Sequence, residues 1–144
     1  MNKNSLTIKE VQYVGHVLAQ KLMNWNEPIP ELPTRYPHAL ESCIAQPFQT
    51  INGKSAYPSV KSKGAILFYL MVKNHPFKNG NKRIAITTLL YFLSKHNKWL
   101  KIDNQELYNF AKFIAQSPAK FKDATVNIIE DFIAAYLTDF KQLK

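Results

Sequence analysis

Cysteine is almost missing from this chain: Cys43 is the single one in 144 residues. That excludes an internal disulfide and any cysteine-rich metal site. Within Ala39-Leu40-Glu41-Ser42-Cys43-Ile44 it is expected as a small buried hydrophobe, not as a nucleophile. Long apolar runs are missing too. Stretches such as 64–72 are too short to cross a bilayer, so no membrane partner is expected. Met1-Asn2-Lys3-Asn4 leads into an amphipathic pattern where a signal peptide would place its apolar block, and a cytoplasmic location is expected. No repeat, low-complexity block or linker divides the sequence. Residues 1–144 therefore read as a single domain, large enough to bury a core. Acidic residues are scarce, with 10 against 19 basic ones, for a net charge of +9. The lysines are scattered, so composition alone fits solubility, nucleotide phosphates, nucleic acid or an acidic protein segment. No nucleic-acid-binding motif accompanies the charge, and nucleic acid is not expected as the partner.

What is present is a helical pattern. Apolar content of 46% and charged content of 20% describe an ordinary globule. Thr7-Ile8-Lys9-Glu10 reads as a capping box, with Leu6 and Val11 placed for a hydrophobic staple. Ile8, Val11, Val14, Leu18, Leu22 and Trp25 continue as one stripe, ended by the prolines of 27–33. A shorter helix is expected over 36–46, stopped by Pro47. Asn52-Gly53, between Thr50-Ile51 and Lys54-Ser55, is a strong two-residue hairpin turn. So short a hairpin is marginal alone and must lean on the helices or pair with something else.

Helical period returns over 58–73, with Val60, Gly64, Leu67, Phe68, Met71 and Val72 on the apolar side. The most apolar helix, 81–95, carries Ile84, Ala85, Thr88, Leu89 and Phe92 and is expected through the middle of the bundle. Asp103-Asn104-Gln105-Glu106 reads as another capping box, opening a helix with Leu107, Phe110, Phe113 and Ile114. Ser117-Pro118 starts the last helix, with Pro at the first helical position and Phe121, Ile128, Ile129, Phe132 and Tyr136 along it. The expected fold is all-α, with one small hairpin.

Between the two most apolar helices lies His75-Pro76-Phe77-Lys78-Asn79-Gly80-Asn81-Lys82-Arg83. Gly80 lets the backbone turn closely, and Asn81 can cap the helix that follows. The N–H groups of that first turn form an anion site suited to phosphate. Lys82 and Arg83 oppose the helix dipole there, a conflict that an anionic ligand removes. His75 carries the side chain whose ordinary pKa suits proton transfer at neutral pH. Pro76 stiffens the loop, and Phe77 is expected to anchor it in the core. Taken singly, each of these residues is compatible with plain packing. Together they place a base, an anion hole and two cations within nine residues. The other histidines read as structural: His16 as a boundary residue, His38 beside Pro37 at a helix start, and His96 in a last turn, where a cation suits the dipole. None has a zinc-binding spacing. Trp25 and Trp99 are expected in the core or at its rim.

The segment resembles the signature of the Fic/Doc superfamily, His-Pro-Phe-x-Asp/Glu-Gly-Asn-Gly/Lys-Arg. It is most similar to the death-on-curing (Doc) branch, in which Lys stands where most Fic proteins have Gly; here that residue is Lys82. The resemblance extends over about 34–100, through Leu40-Glu41-Ser42, the Gln46-Pro47-Phe48 break, Gly53 with Tyr57, Asn74, and Phe92-Leu93. It implies a compact Fic-like helical bundle with a β-hairpin flap before the motif helix. By this resemblance, His75 is the base that deprotonates a target Ser, Thr or Tyr hydroxyl. Gly80 and Asn81 form the anion hole, Lys82 and Arg83 bind the phosphates of ATP, and Phe77 holds the loop. Ile51, Asn52, Gly53 and Lys54 form the flap that docks a protein substrate by strand addition.

Lys82 points to a Doc-like kinase that moves the γ-phosphate to a translation elongation factor, whereas Gly there accompanies AMP transfer. Ile86 stands where AMP-transferring relatives carry a second Arg. Asn79 replaces the usual Mg²⁺-holding carboxylate and offers the ion only a neutral amide oxygen. AMP transfer to a protein hydroxyl and a catalytically impaired binding protein with the same fold are the remaining readings. No Ser/Thr-x-x-x-Glu-Gly/Asn inhibitory segment is present, so a separate antitoxin with an acidic segment is the implied regulator.

Overall fold

Among the described residues, helix α3 (Val60–Lys73) has neighbours on every side. The computed structural model describes residues 6–13, 37–74 and 81–140. The stripe from Val14 to Trp25, His16, the proline loop, Tyr36 and the motif residues His75 to Gly80 lie outside the described residues. The rest form α1 (Ile8–Tyr13), α2 (Pro37–Ala45), the hairpin strands β1 (Thr50–Ile51) and β2 (Lys54–Ser55), α3, α4 (Asn81–Lys95), β3 (Lys98–Leu100), α5 (Asn104–Ala115), α6 (Lys122–Tyr136) and β4 (Leu137–Asp139). The all-α reading holds, with short antiparallel strand pairs at two places.

Helix α3 begins at a reciprocal box that the sequence reading missed. The Ser59 Oγ accepts from the Ser62 N–H at 2.9 Å, and the Ser62 Oγ accepts from the Ser59 N–H at 2.9 Å. From Gly64 to Val72 every residue is buried, the pattern of a helix enclosed all round. It lies between α4 and α6, with α2 and α5 also against it. Every residue of α4 from Arg83 to Leu90 is buried as well, so the central position expected for α4 is one that it shares with α3. Gly64 marks the closest approach. A Cβ built there would sit 3.2 Å from the Leu89 Cδ1 of α4 and 3.4 Å from the Ile133 Cδ1 of α6. Each fully enclosed Leu, Ile or Phe in this core contributes about 1.5–3 kcal/mol.

The N-terminal capping box forms as read: the Thr7 N–H donates to Glu10 Oε1 at 3.0 Å, and the Glu10 N–H donates to Thr7 Oγ1 at 3.1 Å. Leu6 and Val11 are both buried, as a staple requires. Glu10 has a second task. Its Oε2 accepts from the Tyr91 hydroxyl at 2.7 Å and from the Lys95 ammonium at 2.8 Å, tying α1 to the last turn of α4. Burial pushes the Glu10 carboxyl up, but these donors outweigh it and leave the group below its ordinary value. The Tyr91 phenol is pushed up to about 12, by burial and then by Glu10.

Helix α2 spans nearly the expected range, and Pro47 falls inside a 3-10 turn that ends it. The C-terminal third departs further from expectation. Asp103 caps α5 by accepting from the Gln105 N–H at 3.1 Å, without the reciprocal bond expected of Glu106. Phe113 points into solvent. Pro118 does not open α6; it precedes a 3-10 turn, Ala119–Phe121, and the helix starts at Lys122. That turn takes Phe121 out of the helix. Thr125, Ile129 and Ile133 face inward, while Phe121, Ile128 and Tyr136 are exposed. Phe132 keeps contact by stacking on Phe110, with centroids 3.8 Å apart.

The β3–β4 pair was not expected. It sets Lys98, Trp99 and Leu100 opposite Asp139, Thr138 and Leu137. Asn97, at φ 61°, turns the chain out of α4 into β3, a conformation that Asn tolerates better than most residues. Trp99 is half-buried at the rim, edge-on to Phe140.

Filling the Gly64 contact should separate three helices. Gly64→Val is expected to lower stability by about 1–3 kcal/mol through overpacking, read as a lower urea midpoint with an unchanged m-value. An unchanged midpoint would mean that the three helices move apart freely.

Candidate active site

The polar signature is carried between the end of α3 and the start of α4. Both ends are fixed by side chains drawn from elsewhere in the chain. At the departing end, the Lys73 ammonium donates to the carbonyls of Ala115 at 3.1 Å and Ser117 at 2.5 Å. The last carbonyls of α5 lack helical partners, and a cation suits the negative end of that helix. The Asn74 N–H closes α3 onto the Leu70 carbonyl at 2.8 Å. Its side-chain amide reaches Cys43 Sγ of α2 at 3.9 Å. Burial pushes the Cys43 thiol up to about 12, so it is protonated and inert, as the sequence indicated.

At the arriving end, Asn81 is the first helical residue of α4. It stands inside the helix and not ahead of it as a cap; the preceding position is Gly80, outside the described residues. Asn81 is 8% exposed and Arg83 4%, while Lys82 is half-exposed. The two cations are thus unlike: Lys82 reaches solvent, and Arg83 belongs to the interior. A buried guanidinium is costly unless partnered, and neither Arg83 nor Asn81 is without a partner. The Thr87 hydroxyl donates to the Arg83 carbonyl at 2.9 Å, reinforcing the first turn. No acidic residue occupies that turn, so its positive dipole end and the half-exposed Lys82 favour an anion. His75, Phe77, Asn79 and Gly80 are outside the described residues.

The hairpin forms in the register read from the sequence, Thr50 with Ser55 and Ile51 with Lys54. Asn52 at φ 53° and Gly53 at φ 79° both take the left-handed conformation that a tight two-residue turn demands. All of Ile51, Asn52, Gly53 and Lys54 are exposed, Ile51 to 58%. An exposed apolar residue on a sheet whose outer edges are unpaired among the described residues suits the addition of another strand.

Lys73 is a structural partner that sequence reasoning did not find. A lysine in an apolar helix carries no sign of which carbonyl, up to 44 residues away, it will meet. Among the described residues no group of three His, Cys, Asp or Glu side chains could hold a metal ion. No described helix is long and apolar enough to cross a membrane. His38 is exposed.

His96 differs from expectation. It follows α4 in a turn and packs on Phe92 with centroids 4.8 Å apart. Burial, with Lys63 and Lys95 nearby, holds its pKa below the ordinary 6.5. The ring is therefore neutral at pH 7 and offers the helix dipole no charge. The unfolded chain takes up this proton near 6.5 while the folded one takes it only at lower pH. The stabilising contribution is complete above that value and is lost as pH falls through the lowered one. Urea midpoints should decline with acidification below 6.5, and His96→Phe should flatten that part of the profile. Parallel profiles for the two proteins would contradict this account.

Comparison with known proteins places this geometry in a class. The family model described as the Fic/DOC family matches residues 5–93, a stretch that includes the hairpin, α3 and the first turn of α4. The chain belongs to the Fic/DOC family. It is also 34% identical over 73 residues to Toxin Doc of Mycolicibacterium smegmatis, an alignment covering 51% of this chain and 56% of that protein. The chain thus spans little more than half the length of that curated relative. No solved structure matches it.

Proposed function

We propose that this chain is a Doc-like toxin that transfers the γ-phosphate of ATP to a hydroxyl of a protein substrate, a translation elongation factor being the expected target. The observation that carries the reading is Lys82, half-exposed in the first turn of a helix whose family usually has Gly there. A long cation at this position fills the space through which a phosphate would otherwise approach and supplies a charge in its place. In the reaction His75 takes the proton from the target hydroxyl. The freed oxygen attacks the γ-phosphorus, the bond from that phosphorus to the bridging oxygen breaks, and ADP leaves. Gly80, Asn81 and Arg83 hold the phosphates, and catalysis rests on alignment and charge. Ile51, Asn52, Gly53 and Lys54 take the target segment as an added strand.

Ile86 favours the kinase reading over AMP transfer. The position where AMP-transferring relatives carry a second Arg is here a fully buried Ile, with no charge to give a second phosphate contact. The net charge of +9 suits an acidic antitoxin segment as regulator in the cytoplasm. Asn79 fits a dedicated Mg²⁺ site poorly: a neutral amide replaces the charge a hard cation prefers, and no acidic cluster among the described residues compensates. This favours a weak enzyme and is the specific ground for the second reading, a binding protein of impaired activity.

Intact-mass measurement of an elongation factor incubated with ATP and the protein distinguishes the readings. Gain of a phosphate is expected with wild type and none with His75→Ala. Gain of AMP would replace the kinase reading with AMP transfer, and no gain at any enzyme concentration would leave the binding-protein reading. Asn79→Asp is expected to raise the Mg²⁺-dependent rate by about tenfold or more, as charge is restored to a hard-cation ligand. An equal or lower rate across a Mg²⁺ titration would show that the amide does not limit turnover.

A further inference from the structure

The hairpin cannot hold itself. Two strands of two residues with every side chain exposed have no core of their own. Its entry leg is fixed by the 3-10 turn, in which Pro47 is buried and the Gln49 N–H donates to the Gln46 carbonyl at 3.1 Å. The Ala56 N–H then closes the hairpin base on the Gln49 carbonyl at 2.9 Å. The exit leg is held by Lys63. Its ammonium donates to the Tyr57 carbonyl and to Ser55 Oγ, the latter at 3.3 Å. The same nitrogen lies 6.0 Å from the centre of the Phe48 ring, on the entry leg. Phe48 in turn sets its ring edge-on to Phe92 of α4, 6.1 Å away. Both legs of the hairpin therefore meet at one cation, and that cation is referenced through Phe48 to the helix that carries Asn81, Lys82 and Arg83.

Other roles for Lys63 do not account for its place. A cation near the start of α3 opposes that helix's dipole. No carboxylate pairs with Lys63 among the described residues. His96, which feels its charge, is destabilised in its own charged form by Lys63. What the ammonium gains is two oxygens and one ring face, from the hairpin and the segments that enter and leave it.

We propose that Lys63 is a positioning residue for target docking: by gripping both legs of the β1–β2 hairpin it sets the height and direction of the edge on which the target's extended backbone pairs. The proposal rests on the hairpin being the target-docking flap of the preceding reading. It assigns Lys63 to recognition of the protein substrate and gives it no part in binding ATP.

The test compares Lys63→Met with Lys63→Arg, which keeps the charge and the donors, in two measurements. The first, on the protein alone, follows backbone amide order parameters and the cross-strand contact between Thr50 and Ser55 by NMR. Lys63→Met should lower the order of residues 50–55 while α3 and α4 keep wild-type values, and Lys63→Arg should restore it. The second is transfer kinetics. The KM for the protein target should rise about tenfold in Lys63→Met, the loss expected for a charge-assisted hydrogen bond, with kcat and the KM for ATP unchanged and with recovery in Lys63→Arg. Unaltered hairpin order in Lys63→Met overturns the proposal. So does disorder spreading through α3 that Lys63→Arg fails to repair, because Lys63 then serves the core. An equal rise in the KM for ATP overturns it as well. Because the NMR measurement uses neither ATP nor target, absence of transfer by the wild type would defeat the kinase reading while hairpin order still decides the place of Lys63.

Discussion

Where α3, α4 and α6 meet at Gly64, the absence of a side chain lets Leu89 and Ile133 approach the α3 backbone from opposite helices. The rest of the arrangement depends on this contact. With α3 enclosed, its two ends are held in fixed relation: Ser59 and Lys63 at one, under the hairpin, and Lys73 and Asn74 at the other, before the signature. The apolar interior supplies most of the favourable free energy. It carries no direction, however, and could not by itself set where a two-residue strand or a loop stands. Polar ties do that. Each uses a lysine or amide at the end of a buried helix to meet a polar atom of another segment.

The two lysines play parallel parts. Lys73 joins the end of α3 to the end of α5, and Lys63 joins the start of α3 to the hairpin. Neither is spent on a surface ion pair. An exposed pair such as Lys98 with Asp139 contributes little, because water screens it. A lysine that neutralises lone carbonyls removes a penalty that water cannot reach as readily. A chain with nearly twice as many basic as acidic residues thus places some of its surplus inside the architecture, and the surplus is not all surface charge.

How much of this was legible in the sequence follows from range. Several features decided within four or five residues were readable: the Thr7–Glu10 box, the Asn52-Gly53 turn, the span of α4 and the burial of Cys43; the equally local Ser59–Ser62 box was not, because it lacks the usual Glu or Gln at its third position. The start of α6 was misplaced at Pro118, because the 3-10 turn of three residues that precedes the helix leaves no hydrophobic signature of its own. The β3–β4 pair was missed because strands of three residues are too short for alternation to show and their partners lie in distant segments. The signature could be recognised as a string, and its two cations as poor helix starters. The string did not reveal that Arg83 is interior while Lys82 is half in solvent, since that division depends on how α4 is rolled against α3.

The pairing of Leu100 with Leu137 has a consequence in time. The family match ends at residue 93, yet the helix carrying Lys82 and Arg83 leads directly into a strand whose partner is made about forty residues later. Ile133, which covers the other side of Gly64, is also made late. During synthesis, therefore, the signature leaves the ribosome well before the elements that bury α3 and close the end of α4, and domains assemble as units once their parts are present. A nascent chain carrying the whole signature still lacks the support that holds both of its ends. The order of residues along the chain thus separates the appearance of the signature from the completion of the framework that supports it.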